Sequence, residues 1–464
     1  MNRSYSSSNF YGKVFKLALP IAAQSMIVIG VNMLDTMMVG KLGDDPLSAT
    51  SLANSFISVF QIFCMGLGMG ASVLVSRYWG MKQSSADRTQ ADDASIALKQ
   101  TVSLMLRLTI VLAFLFASAT LFCPGLIMRS YTEDEKIIEL GIKYFNYSIP
   151  TYFFLGISLT STIVLRSVGK VMYPLIVSIG AFFVNFSMNY MLIFGKFGAP
   201  RMEIAGAALG TLIARIFEVV LILGYLLFYD KSIMFRIKDI FMSTKTLIRE
   251  YIRICIPVLI SDGILAIGTN SVAMVIGHLG GTFTAANAIT SVTQQLSTVV
   301  ISGVSQAGAI VTGITLGEGD RNKTMQQGYQ FFKLGLILGT LSAAFIFIFS
   351  DLIIGYYDGV TPETAATAKQ LMNAISLIIV FQGTNSIMTK GVLRGGGDTK
   401  ILMIADNIFL WVLAIPLGIA AGFYFKMSAF WIYIFLKSDQ IAKTVWAYLR
   451  LRSGKWIKKI STGS

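Results

Sequence analysis

The stretch "LPIAAQSMIVIGVNMLDTMMVGKLG", residues 19–43, decides the fold. It is apolar and long enough to cross a bilayer, which takes about 20 residues, yet it holds a carboxylate, Asp35. The chain later carries "IPVLISDGILAIGTNSVAMVIGHLG", residues 256–280, which aligns with it without a gap at an offset of 237 positions. Pro20 meets Pro257, Gly40 meets Gly277, and Leu42–Gly43 meet Leu279–Gly280. The same offset carries Gly66 onto Gly303 and Gly80 onto Gly317, and "VLRSVG" at 164–169 answers "VLRGGG" at 392–397 at a slightly different offset. Chance matches among apolar residues are common; a shared proline and four shared glycines in one register are not. We read an internal repeat whose glycines serve mainly helix packing.

Composition widens that reading to the whole chain. Of 464 residues, 54% are hydrophobic and only 13% charged, with a mean hydropathy of +0.67. A soluble domain carries about 25% charged residues, so the chain reads as an all-α polytopic membrane protein. Twelve spans are expected near 15–40, 50–76, 100–123, 140–165, 172–195, 205–228, 251–277, 287–314, 330–352, 368–390, 401–422 and 428–448. They group as an N-terminal six-helix lobe over 1–228, a linker over 229–250, and a C-terminal six-helix lobe over 251–464. Six spans per copy make both copies enter the membrane in the same direction, a transporter plan with its site at the repeat interface.

The net charge of +14 does not point to nucleic acid, because the basic residues sit in short gaps between spans. "SRYWGMKQSSADR", "YDKSIMFRIKDIFMSTKTLIREYIR" and "LRLRSGKWIKK" are basic, whereas "KLGDD", "SYTEDEKIIEL" and "YYDGVTPETA" are acidic or mixed. Under the positive-inside rule the basic gaps and both termini are cytoplasmic, and a retained first helix is expected rather than a signal peptide. The expected location is the plasma (inner) membrane.

The chain shows no GxxxxGK[ST] phosphate loop, no GxSxG elbow and no HExxH pair. His278 stands alone, and Cys64, Cys123 and Cys255 lie in apolar runs as buried hydrophobes. No enzyme apparatus, cofactor or permanent metal is expected, so an ion gradient must supply the energy for any pumping. Ionisable residues inside spans are then the candidates for function. Gln24, Asn32 and Asp35 form one polar stripe in the first span, and Asn185 and Asn189 share a face of the fifth. A carboxylate with carboxamides offers hard oxygen ligands for Na⁺, and desolvation equally favours a protonated carboxyl. The competing account is structural, with the asparagines bonding neighbouring helices and Asp35 snorkelling to the nearby exit. Asp35 aligns with Val272, so only one copy has the carboxylate. Asp262, at the register of Ser25, and Asp406 are the second-half polar candidates, and Lys390 is read as snorkelling. With 22 methionines, a flexible apolar cavity for varied small molecules is expected.

At these residues the chain resembles the multidrug and toxic compound extrusion (MATE) family, as its Firmicutes-type members. The resemblance runs through "LP" at 19–20, "LDTMMVGKLG", the "LR(S/G)xG" turns, "VNFSMNYMLIFGKFG", "IAGAALGT", "AIPLG" and "SGKW". It implies two six-helix lobes around a central cavity and a cation-coupled antiporter that expels organic cations and other amphiphilic drugs, without a cofactor. It further implies a first-lobe cation site at Asp35, Asn185 and Asn189, with Tyr144 and Thr211 carried over by spacing, and a helix bend at Pro20. The family's second-lobe acidic positions fall here on Leu265 and Gly383, so the first lobe is favoured. A monomer is expected. The alternatives are a lipid-linked saccharide flippase of the same fold superfamily, disfavoured because the spans contain almost no arginine, and a non-transporting membrane enzyme or receptor.

Overall fold

The computed structural model describes residues 7–355 and 361–458, and among these it is helical with no strand. In hydrocarbon a backbone N–H or C=O must find its partner inside its own segment, which the helix achieves. The first half contains α1 (Ser7–Gly40), α2 (Asp44–Ser84), α3 (Arg88–Phe122), α4 (Pro124–Arg129), α5 (Glu135–Ser148), α6 (Thr151–Ser167), α7 (Met172–Phe194) and α8 (Ile204–Gly224). The second contains α9 (Ile248–His278), α10 (Gly281–Gly317), α11 (Arg321–Gly355), α12 (Pro362–Ser386), α13 (Thr399–Ile408), α14 (Ile415–Ile419), α15 (Ala429–Leu436) and α16 (Ser438–Ser453). Wider helical turns at Ile387–Leu393, Phe409–Ala414 and Ala420–Tyr424 respectively extend α12, join α13 to α14, and extend α14. The acidic gap at "YYDGVTPETA" lies partly outside the described residues.

Ten of these segments are long and apolar enough to cross a membrane. The expected fourth span is the pair α5 and α6, bent by 59°. Pro150 stands at that break, where its missing N–H and its ring interrupt a continuous helix. The expected twelfth span is not one helix either. It divides into α15 and α16 at Lys437, whose φ of −115° and ψ of 15° leave the helical region. Among the described residues ten helices and the bent α5–α6 pair thus have the length and composition of a span, and the divided α15–α16 stretch stands where the twelfth is expected.

Among the described residues two compact units are present, one holding residues 23–255 and the other residues 7–22 together with 256–355 and 361–458. The expected lobes over 1–228 and 251–464 differ from this at both ends. Residues 10, 14 and 18 of α1 pack with Ile301, Val304 and Phe331 in the second unit, and the Phe10 and Phe331 rings meet edge-on with centroids 5.0 Å apart. The expected linker belongs to the 23–255 unit, because α2 and α3 hold it. Lys82 Nζ donates to the Ser232 carbonyl at 3.0 Å and Gln100 Nε2 to the Ser243 carbonyl at 2.8 Å. Lys99 pairs with Asp239 at 3.3 Å. Thus α1 and α9 each pass from one unit to the other, and each does so close to its repeat proline, Pro20 or Pro257.

The repeat glycines divide by role. Gly43 and Gly280 open α2 and α10 with φ of 117° and 109° and ψ near the extended limit, a conformation that is essentially glycine's own. Gly303 is there for close approach: a Cβ would stand 2.5 Å from the Ala18 carbonyl oxygen. Gly40 and Gly277 meet neither need, since a Cβ would find only Leu47 at 3.8 Å in the first case and open space in the second. The packing role expected for the whole glycine set therefore holds at Gly303 and gives way to backbone conformation at Gly43 and Gly280.

Candidate cation site and its cavity

Asp35 lies on α1, five residues before its last turn ends. The two asparagines lie on α7, four residues apart and both buried, Asn189 completely. Asn189 Nδ2 donates to Asp35 Oδ1 at 2.7 Å and to Asn185 Oδ1 at 3.3 Å. Asn185 Nδ2 in turn donates to Thr211 Oγ1 on α8 at 3.5 Å. A chain of amides and a hydroxyl thus links the carboxylate to three helices. Its geometry rests on Gly210, beside Thr211, where a Cβ would collide with Asn189 Oδ1 and approach the Asn189 backbone nitrogen to 3.1 Å. That Oδ1 is buried against Gly210 and accepts no hydrogen bond. A half-turn of the Asn189 amide would exchange its donor for this acceptor.

Asp35 opens on a cavity of about 860 Å³ inside the 23–255 unit, with Asn32, Tyr144, Thr211 and Arg215 on its wall. Tyr144 does not reach the carboxylate: its hydroxyl donates to Asn54 Oδ1 on α2 at 3.2 Å. Asn54 gave no signal in the sequence, being one amide in the polar run "SATSLANS". Most of the residues that line it carry hydroxyls or amides. Arg215 also escaped the sequence reading, which counted almost no arginine in the spans. It lies one helical turn beyond Thr211, and its Nη1 donates to Glu218 Oε2 at 2.7 Å. It is the cavity's one arginine among the described residues.

The other candidates are placed elsewhere. Gln24 separates from the Asn32–Asp35 stripe: it is buried, donates to Ser178 Oγ at 2.6 Å, and accepts from the Arg166 guanidinium. Pro20 lies inside α1. Asp262 pairs with Arg394 at 3.1 Å. Asp406 is buried and pairs with Lys443 at 3.4 Å, a partner the sequence reading missed. Lys390 is exposed, and so is Cys123, in contrast to buried Cys64 and Cys255. Val272, the repeat partner of Asp35, sits in an apolar cluster with Ile276 and Leu410. Leu265 packs on that cluster, and a Cβ at Gly383 would press on Ile301.

Two helical halves of membrane-spanning length, the first with a carboxylate bonded by an amide at a cavity wall, define a polytopic membrane protein. The MatE family model matches residues 20–191 and again 257–420, the two matches starting at Pro20 and Pro257. The chain belongs to the MatE family, and it is a multi-pass membrane transporter of small molecules. A probable multidrug resistance protein NorM of Thermotoga maritima is 26% identical over 447 residues, covering 96% of this chain and 93% of the relative. An uncharacterized transporter, YisQ of Bacillus subtilis, is 23% identical over 454 residues, covering 96% and 95%. A crystal structure of MATE in complex with MaL6 has the same fold, with a TM-score of 0.84 at 18% identity and 96% coverage of both chains.

Proposed function

We propose that the protein is a secondary antiporter that exports organic cations or amphiphilic drugs in exchange for Na⁺ or H⁺. On this reading it works as a monomer in the plasma membrane, with both termini cytoplasmic. The observation that carries the coupling is the bond from Asn189 Nδ2 to Asp35 Oδ1 at 2.7 Å, on the wall of a polar cavity. The amide that bonds Asp35 is uncharged, and Arg215, the cationic side chain that acts on it across the cavity, already pairs with Glu218, so much of the carboxylate's charge is left to be met from solution. Na⁺ would take Asp35, the Asn185 and Asn189 carbonyl oxygens and Thr211 Oγ1, all hard oxygen donors; a proton would need Asp35 alone. Tyr144 and Asn32 would line the entry.

Loading of Asp35 would favour one arrangement of α1, with the bend at Pro20, where the helix lacks one i→i−4 bond. Drug binding would favour the other, each ligand acting through its differential affinity. Linkage makes the effect mutual, so the cation is expected to weaken substrate binding by about 5–150-fold. The name of the Thermotoga relative supports a multidrug substrate range. Arg215 raises the flippase alternative, but its guanidinium already pairs with Glu218 and it stands alone on this wall. Proteoliposomes under a pH or a Na⁺ gradient, imposed separately, test the proposal. Wild type should expel a fluorescent organic cation under at least one gradient, and Asp35→Asn should do so under neither while inserting normally. Wild-type efflux by Asp35→Asn would end this reading.

A further inference from the structure

The second unit contains a charge network that the Asp35 site does not use. Lys443 on α16 holds its Nζ 3.1 Å from Asp439 Oδ2 and 3.4 Å from Asp406 Oδ1. The three side chains are almost sealed from solvent, with exposures of 4%, 3% and 8% in that order. Asp406 Oδ2 also accepts from Ser261 Oγ at 3.4 Å, and Asp439 Oδ2 from Gln440 Nε2 at 2.6 Å. Asn385 Nδ2 donates to Gln440 Oε1 at 2.9 Å. Two buried oxygens, Asp439 Oδ1 and Asn385 Oδ1, have no hydrogen-bond partner. Lys437 acts electrostatically on Asp439 and Lys443, and Tyr433, near Asp439, donates its hydroxyl to Gln294 Oε1 at 3.1 Å.

We propose that Lys443 is a tethered cation, its ammonium occupying between Asp406 and Asp439 a place that would otherwise take a monovalent cation from solution. Two carboxylates removed from water repel one another, and leaving one buried charge without a partner is strongly unfavourable. Na⁺ or H⁺ could supply the missing positive charge, but either would then exchange with the medium. A lysine on its stem supplies the same charge and cannot leave. The unsatisfied second oxygen of Asp439 fits this account: an ammonium has three donors and a fixed reach, whereas a small free ion could draw in both oxygens of that carboxylate. The second unit is thus permanently loaded. Ordinary structural pairing makes a different prediction, namely that loss of the lysine cannot be repaired by any ion in solution.

The test uses purified full-length protein in detergent, in an Asp35→Asn background, and compares that parent with Asp35→Asn/Lys443→Met. The difference between the two is what is read, so the proposal stands whether or not Asp35 carries the coupling ion. The parent should show a Tm that does not respond to NaCl. The Lys443→Met variant should be destabilised at pH 8 in potassium. It should recover either by taking up about one additional radiosodium ion per chain or by a Tm that rises as the pH falls to 6, through protonation of the carboxylate pair. Lys443→Arg, which keeps a tethered charge, should behave like the parent. No gain of sodium binding or pH dependence overturns the proposal. So does a Lys443→Met variant that recovers under none of these conditions.

Discussion

Two aspartates inside membrane helices, one in each unit, have been given opposite surroundings. Asp35 meets the Asn189 amide and faces a cavity; Asp406 meets the Lys443 ammonium and faces the interior. A neutral donor steadies a carboxylate without cancelling its charge, whereas an ammonium does both. On the proposed reading the first arrangement takes up an ion from outside the protein, and the second excludes one. Duplicated architecture does not imply duplicated chemistry. The equivalent of Asp35 is Val272, inside an apolar cluster, and the second unit's charges come from other helices.

The strongest way to break this contrast is at Asp35. Asp35→Asn should abolish ion-driven efflux, measured in proteoliposomes, and leave the folded protein intact. At the other aspartate the effect should fall on stability instead: Lys443→Ala, in sodium-free buffer above neutral pH, should lose about 3–5 kcal/mol by leaving buried carboxylates unpaired, read as a large drop in Tm. Gly210→Ala sharpens the comparison by moving only a neutral partner. Its methyl must displace Asn189, at an overpacking cost of about 1–3 kcal/mol, and cation-driven efflux should fall further than drug binding measured without a gradient. Gly43→Ala and Gly280→Ala should each cost about 1–3 kcal/mol for backbone strain, in both halves alike, whereas Gly40→Ala should be near neutral. Among the polar residues of the cavity the smallest effect is expected from Tyr144→Phe. It removes one hydrogen bond, to Asn54, worth about 0.5–1.5 kcal/mol, and should slow efflux without uncoupling it.

The spans were legible in the sequence because lipid imposes one length and one composition on each. Asn185 and Asn189 were legible as neighbours because spacing along a helix fixes a face, whereas Thr211 entered only through the family resemblance. Pairings between helices leave no such periodic trace. Lys443 falls in the polar run "SDQIAKT" inside the expected twelfth span, 428–448, where the sequence reading did not single it out, and only the fold brings it to Asp406. The same run explains the missed break at Lys437, since the span criterion weighs average hydropathy and not continuity. Gln24 looked like part of the Asp35 stripe because helical spacing gives the direction of a side chain and not its partner. Arg215 was overlooked because Glu218, three residues on, pairs with it inside an otherwise apolar helix.

The passage of α1 from one compact unit to the other has a consequence for how the protein is made. Phe10, Val14 and Ala18 leave the ribosome first, but their packing partners Ile301, Val304 and Phe331 are synthesised nearly 300 residues later. At about 5–20 residues per second the first helix waits for tens of seconds in the bilayer with this face uncovered by its final neighbours. Synthesis of the first half alone would yield a helix still lacking them, and a chain severed near residue 245 should assemble only when both pieces are made together.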